Sequence, residues 1–110
     1  MLSIPGNARI FLFKDPIDLR KGFEGLSHFV EQMFGDILTS GAYFIFLNRR
    51  RDRMKVLYWD ADGLVIWYKR LEKGSFSRIH LKKSTMTRRE FFMLLEGIIP
   101  KRLQQRHTIS

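Results

Sequence analysis

Between Asn48 and Arg70 the chain reads NRRRDRMKVLYWDADGLVIWYKR, and its first six residues carry the strongest chemical signal in the sequence. Arg49, Arg50, Arg51 and Arg53 surround a single acid, Asp52. Arginine offers several N–H donors in a rigid fork that matches phosphate and carboxylate oxygens. Four of them at one turn describe an anion-binding tip. The plainer alternative is a solvated turn whose arginines pair with Asp52 and nearby acids. Four cations against one acid favour contact with a polyanion. Lys55, Lys69, Arg70 and Lys73 carry the basic surface onward, followed by Arg78, Lys82 and Lys83. No helix-turn-helix, zinc finger or RNA-recognition signature accompanies them, so affinity for a nucleic-acid backbone follows more directly than sequence readout. Tyr58, Trp59, Trp67 and Tyr68 interleave with this charge. They could stack on unpaired bases, but as strand residues they are explained by packing in a sheet buried on both faces.

Other chemistry finds little support. Asp60 and Asp62 resemble a metal-binding pair, yet they overlap the expected hairpin turn and are followed by Gly63, and backbone geometry alone accounts for them. No third acid or imidazole is spaced nearby, so no metal and no cofactor are expected. His28, His80 and His107 share no spacing. A nucleophile elbow and a phosphate-cradling glycine loop are both lacking, which argues against an enzyme.

The elements that must hold the tip follow from periodicity. Ala8–Phe13 reads as a short strand. Asp15–Phe34 reads as a helix, with Asp15 as cap, Pro16 at its first position, and Leu19, Phe23, Leu26, Phe29, Val30 and Met33 as an apolar stripe. Gly22 and Gly25 inside it suggest close backbone approach to a neighbour or simple tolerance. From Ala42 three runs rich in β-branched and aromatic residues are separated by RRRDR and by DADG, where Asp62-Gly63 signals a hairpin. They predict a three-stranded antiparallel meander. Apolar side chains on both faces of the later strands require two covers. The helix supplies one; the C-terminal segment, a second subunit or a ligand must supply the other. Phe76–His80 reads as a fourth short strand. A second helix starts at a Thr87/Glu90 capping box, presents Phe91, Leu94, Leu95 and Ile98, and stops at Pro100. The fold class is therefore α+β: one small domain over residues 1–110, an antiparallel meander sheet of about four to five strands packed on two helices. Residues 101–110 form a basic tail expected to be flexible.

Composition sets the outer limits. The 110 residues include no cysteine, which removes disulfides and thiol chemistry. No apolar run approaches a membrane span and no charged, apolar leader opens the chain, so a cytoplasmic location and no membrane partner are expected. The formal net charge of +9 is unevenly placed: residues 1–48 hold four basic residues against five acids, residues 49–110 sixteen against six. A field this one-sided concentrates anions, and nucleic acid is their commonest polymeric source.

Three stretches together, Ile17–Leu26, Asn48–Gly74 and the leucine-rich FFMLLEGI near the C-terminus, resemble the second-open-reading-frame accessory protein of bacterial insertion-sequence family sixty-six, often labelled TnpB. It is distinct from the RNA-guided nuclease of the same label. The resemblance covers nearly the whole chain in the same order. It implies a small non-catalytic protein that accompanies a separate, larger DDE-type transposase and assists transposition. Its pattern falls on Arg20, Lys21, Gly22 and Phe23, and on Arg49–Arg53 with Tyr58, Trp59 and Asp60. Arg20 and Lys21 thereby join the candidate nucleic-acid contacts. The partners implied are DNA, the element's transposase and its other proteins, with a homo-oligomer compatible. Two readings result: a DNA-binding accessory factor, or a module that docks on the transposase without touching DNA.

Overall fold

The computed structural model describes residues 2–77 and 84–97. In chain order they form β1 (Ile10–Leu12), α1 (Phe23–Phe34), β2 (Tyr43–Leu47), β3 (Arg53–Asp60), β4 (Gly63–Arg70), β5 (Thr85–Met86) and α2 (Arg88–Glu96). The five strands make one sheet in the order β4-β3-β2-β1-β5. Its pairs are antiparallel except β1 with β2, which run parallel and are joined through α1. A parallel neighbour needs a crossover of this kind, because a tight turn only reverses the chain. The α+β class holds, with a mixed sheet in place of a purely antiparallel one.

Strand β2 lies at the sheet's centre, and all five of its residues are buried. Phe44 and Phe46 point to the layer containing α1, where they meet Leu26, Val30 and Leu57. Tyr43, Ile45 and Leu47 point the other way, toward Phe91 and Leu94 of α2, Phe76, and Leu2 and Ile4 from the N-terminal segment. The second cover is thus the C-terminal helix, aided by the first residues of the chain. Full burial of each phenylalanine contributes about 1.5–3 kcal/mol, so this one strand anchors both layers.

Helix α1 begins later than its pattern predicts. Its N-cap is Gly22, and no side chain caps it. Residues 13–17 instead continue beside β2: the Phe13 amide donates to the Ile45 carbonyl at 3.0 Å and the Ile17 amide to Leu47 at 2.9 Å. Asp18 then accepts from the Arg20 amide at 3.0 Å, closing a turn two residues wide where the first turn of the helix was expected. The later start changes the stripe. Leu26 and Val30 are buried, but Phe23 is 49% and Met33 64% exposed. Gly22 has open space around it, and a Cβ on Gly25 would meet only the side chain of Lys21, at 3.0 Å, so neither marks a backbone contact.

The β3–β4 hairpin pairs eight residues on each side in unbroken register, from Arg53 opposite Arg70 to Asp60 opposite Gly63. Its turn residues are Ala61 and Asp62, with Gly63 already in the strand. Ala61 takes the left-handed φ of +53°, a conformation costing a non-glycine residue about 1 kcal/mol. The expected strand over Phe76–His80 is not seen at Phe76 and Ser77, and Arg78–His80 lie outside the described residues. The fifth strand forms at Thr85–Met86, pairing with β1. Helix α2 matches its prediction: Thr87 and Glu90 make both capping-box hydrogen bonds. Ile98 and the tail over 101–110 lie outside the described residues. Among the described residues no helix is long and apolar enough to cross a membrane.

Candidate nucleic-acid interface

The turn between β2 and β3 is built by Asn48. Its side-chain oxygen accepts from the amides of Asp52 and Arg53 at 3.1 and 3.0 Å, and its amide nitrogen donates to the Asp52 carboxylate at 2.6 Å. Asp52 is therefore engaged by an amide. Among the described residues no arginine pairs with Asp52, as the plainer alternative would have it.

Arg51 separates from its neighbours. It holds φ +53°, its carbonyl accepts from the Phe76 amide at 2.7 Å, and its Nε donates to the Phe76 carbonyl at 3.2 Å. This double tie fastens the turn to the segment after β4. Arg49, Arg50 and Arg53 stay exposed. Among the described residues their side chains meet no acid.

Those three line a groove of about 750 Å³ with Lys55 and Tyr68 from the hairpin, Asn48 from the turn, and the stretch Pro16–Arg20 as its opposite wall. The Ile17–Leu47 hydrogen bond brings that wall alongside. Lys55 donates to the Lys21 carbonyl at 2.9 Å, bridging the two walls, and lies 5.2 Å from the centre of the Tyr68 ring. Arg20 forks onto Asp18, with Nε–Oδ1 at 3.0 Å and Nη2–Oδ2 at 2.7 Å. These bonds hold the Asp18 carboxyl far below the usual carboxylate range and raise the guanidinium of Arg20 in turn.

Of the sequence candidates, the groove gathers Arg20, Arg49, Arg50, Arg53 and Lys55. Lys21 supplies a carbonyl to it, while its ammonium lies 5.7 Å from the Phe29 ring centre. Arg70 sits directly across from Arg53, on the α1 face of the sheet, and approaches Glu72 only at 3.9 Å. Strand alternation puts Lys69 on the opposite face, beside Met54. Lys73 is exposed in the loop after β4, and Arg78, Lys82 and Lys83 lie outside the described residues. Two like charges opposite each other on adjacent strands repel, so Arg53 and Arg70 add to a field that, among the described residues, is countered by Asp18 on Arg20 and by the long Arg70–Glu72 contact. Of the aromatics, Tyr58 stacks on Tyr43 with ring centres 4.6 Å apart, and Trp67 packs against the α2-side core. Tyr68, 49% exposed, is the one that reaches the groove. Sequence reasoning missed Asn48 and the Pro16–Leu19 wall, because their roles depend on contacts across the sheet.

A family model described as IS66 Orf2 like protein matches residues 8–105, which spans β1 through α2 and therefore both walls of the groove. The chain belongs to the IS66 Orf2-like family. Membership carries an accessory role associated with the transposition of an insertion sequence, and the family is not a known enzyme class. Two curated proteins of Sinorhizobium fredii (strain NBRC 101917 / NGR234) are similar. Uncharacterized protein y4jC is 31% identical over 100 residues, 89% of this chain and 86% of its own. Uncharacterized protein y4hO is 30% identical over 76 residues, 69% of this chain and 66% of its own. No solved structure matches.

Proposed function

We propose that this IS66 Orf2-like protein binds DNA through the groove between Pro16–Arg20 and Asn48–Lys55, and thereby helps the element's transposase assemble on its DNA. The observation that carries this reading is the convergence of Arg49, Arg50, Arg53 and Lys55 on one exposed groove whose nearest acid, Asp18, is already held by Arg20. An uncompensated cluster of this kind gains most from a partner that supplies a row of negative charges. Phosphates meet arginine forks at the turn, and the rigid β3–β4 ribbon behind it keeps those forks in place. Because the groove offers cations more than base-edge readers, backbone contact precedes any choice of sequence.

The test is titration of the protein onto two labelled duplexes, one carrying the element's terminal repeat and one scrambled, over a series of salt concentrations. Log affinity falls with log salt by about 0.9 for each phosphate neutralised. Replacing Arg49, Arg50 and Arg53 together by alanine is expected to flatten that slope by about two to three units. A slope unchanged by the triple substitution removes the groove from the reading. Absence of binding to either duplex near physiological salt transfers it to docking on the transposase, for which the exposed Phe23 and Met33 of α1 offer apolar surface.

A further inference from the structure

Strand β4 ends the sheet, and among the described residues nothing pairs with its outer edge. An open edge presents a row of unmet N–H and C=O groups, and monomeric proteins blunt such edges with prolines, bulges or charges. Here the eight-residue pairing with β3 is free of bulges, the strand has no proline, and its charges are confined to Lys69 and Arg70 at one end. Leu64, Val65, Ile66 and Trp67 remain partly exposed on both faces. The edge is also electrically polar: Asp60 and Asp62 lie at its start, Lys69 and Arg70 at its finish.

From this we infer that β4 pairs antiparallel with β4 of a second copy of the chain, about a twofold axis perpendicular to the sheet at Ile66. Such an axis keeps both α1 faces on the same side, so each residue must oppose one of its own parity. With the axis at Ile66, that residue faces its own copy, Val65 faces Trp67, Leu64 faces Tyr68, and Asp62 faces Arg70. Apolar meets apolar along Leu64–Tyr68, Gly63 leaves room for Lys69, and acid meets base just beyond, at Asp62 and Arg70. Moving the axis to Trp67 sets Leu64 against Arg70, Val65 against Lys69, and Asp62 against Glu72. Moving it to Val65 shortens the paired stretch to Gly63–Trp67 and leaves Trp67 opposite a glycine. The side chains select the register, as they do within any sheet with a defined pattern. The result is a continuous ten-stranded sheet with the two basic grooves on one side of it. This inference does not depend on the DNA reading, since Arg70 lies outside the groove lining and the test reads mass.

Sedimentation velocity of the full chain over a concentration series is expected to show twice the monomer mass of 13.1 kDa. Asp62→Arg, at an exposed turn position, places like charges opposite each other and is expected to weaken the dimer at least about tenfold. Adding Arg70→Asp exchanges the two signs and should restore it. The native chain has no cysteine, so Ile66→Cys gives an independent readout: opposing residues in an antiparallel pair lie within disulfide reach. Mild oxidation should cross-link that variant to itself, and a Glu24→Cys control on α1 should stay monomeric on a denaturing gel. A monomer at every concentration up to about 100 μM, whether its edge is bare or covered by its own tail, overturns the inference. So does a dimer indifferent to Asp62→Arg, or one that the charge exchange fails to rescue.

Discussion

Asn48 decides what the arginines beside it are able to do. By accepting from two amides and donating to Asp52, it closes the turn and removes the acid that would otherwise neutralise them. The remaining acid of the groove, Asp18, is bound by Arg20, and both are largely exposed. Asp18→Asn should therefore release Arg20 and make the groove one charge more positive. The expected result in fluorescence anisotropy is tighter duplex binding, by about threefold to tenfold at low salt, with a salt slope steeper by nearly one. Unchanged binding would place the Asp18–Arg20 pair away from the DNA. At this scale the sequence was readable as charge and unreadable as partition. Nothing local in RRRDR distinguishes Arg51 from the other three. Its positive φ and its tie to Phe76, twenty-five residues away, are tertiary.

The two helices show how far local grammar reaches. The Thr87/Glu90 box works as read, because all its atoms lie within four consecutive residues. Thr87→Ala is expected to cost about 1 kcal/mol in urea unfolding; a loss indistinguishable from zero would mean that burial of Phe91 and Leu94 holds α2 without its cap. Nine residues do not make a stable helix alone, so both contributions are needed. The same grammar misplaces α1. Asp15 and Pro16 look like a helix start, yet the Ile17 amide is taken by the Leu47 carbonyl, and an extended strand neighbour displaces the expected first turns. The shortened helix carries Phe23 and Met33 into solvent, although both sit at core spacing in the sequence.

For the molecule as a whole, apolar residues on both faces of the strands correctly required a cover on each side. One sheet then separates two cores that share strands β1 to β4 between them. Loss of either layer exposes the back of the other, so both should melt as one cooperative unit. Trp59 and Trp67 alternate to opposite faces of the hairpin, which makes the idea measurable. Variants retaining one tryptophan each, with the other changed to phenylalanine, should give fluorescence and circular dichroism transitions that coincide within each variant. Separated midpoints would reveal layers that unfold independently. The position of β1 was not readable, since strand neighbours depend on the whole chain. That position also sets a timetable for synthesis. β2, β3 and β4 follow one another and can zip as hairpins as soon as they emerge. Ile10 must wait for Tyr43, thirty-three residues downstream, and for Met86, seventy-six residues downstream. Of the five strands described, the first to leave the ribosome is thus the last to gain both its neighbours, and within this sheet Ile10–Phe13 is the apolar segment that must be kept from wrong partners for longest.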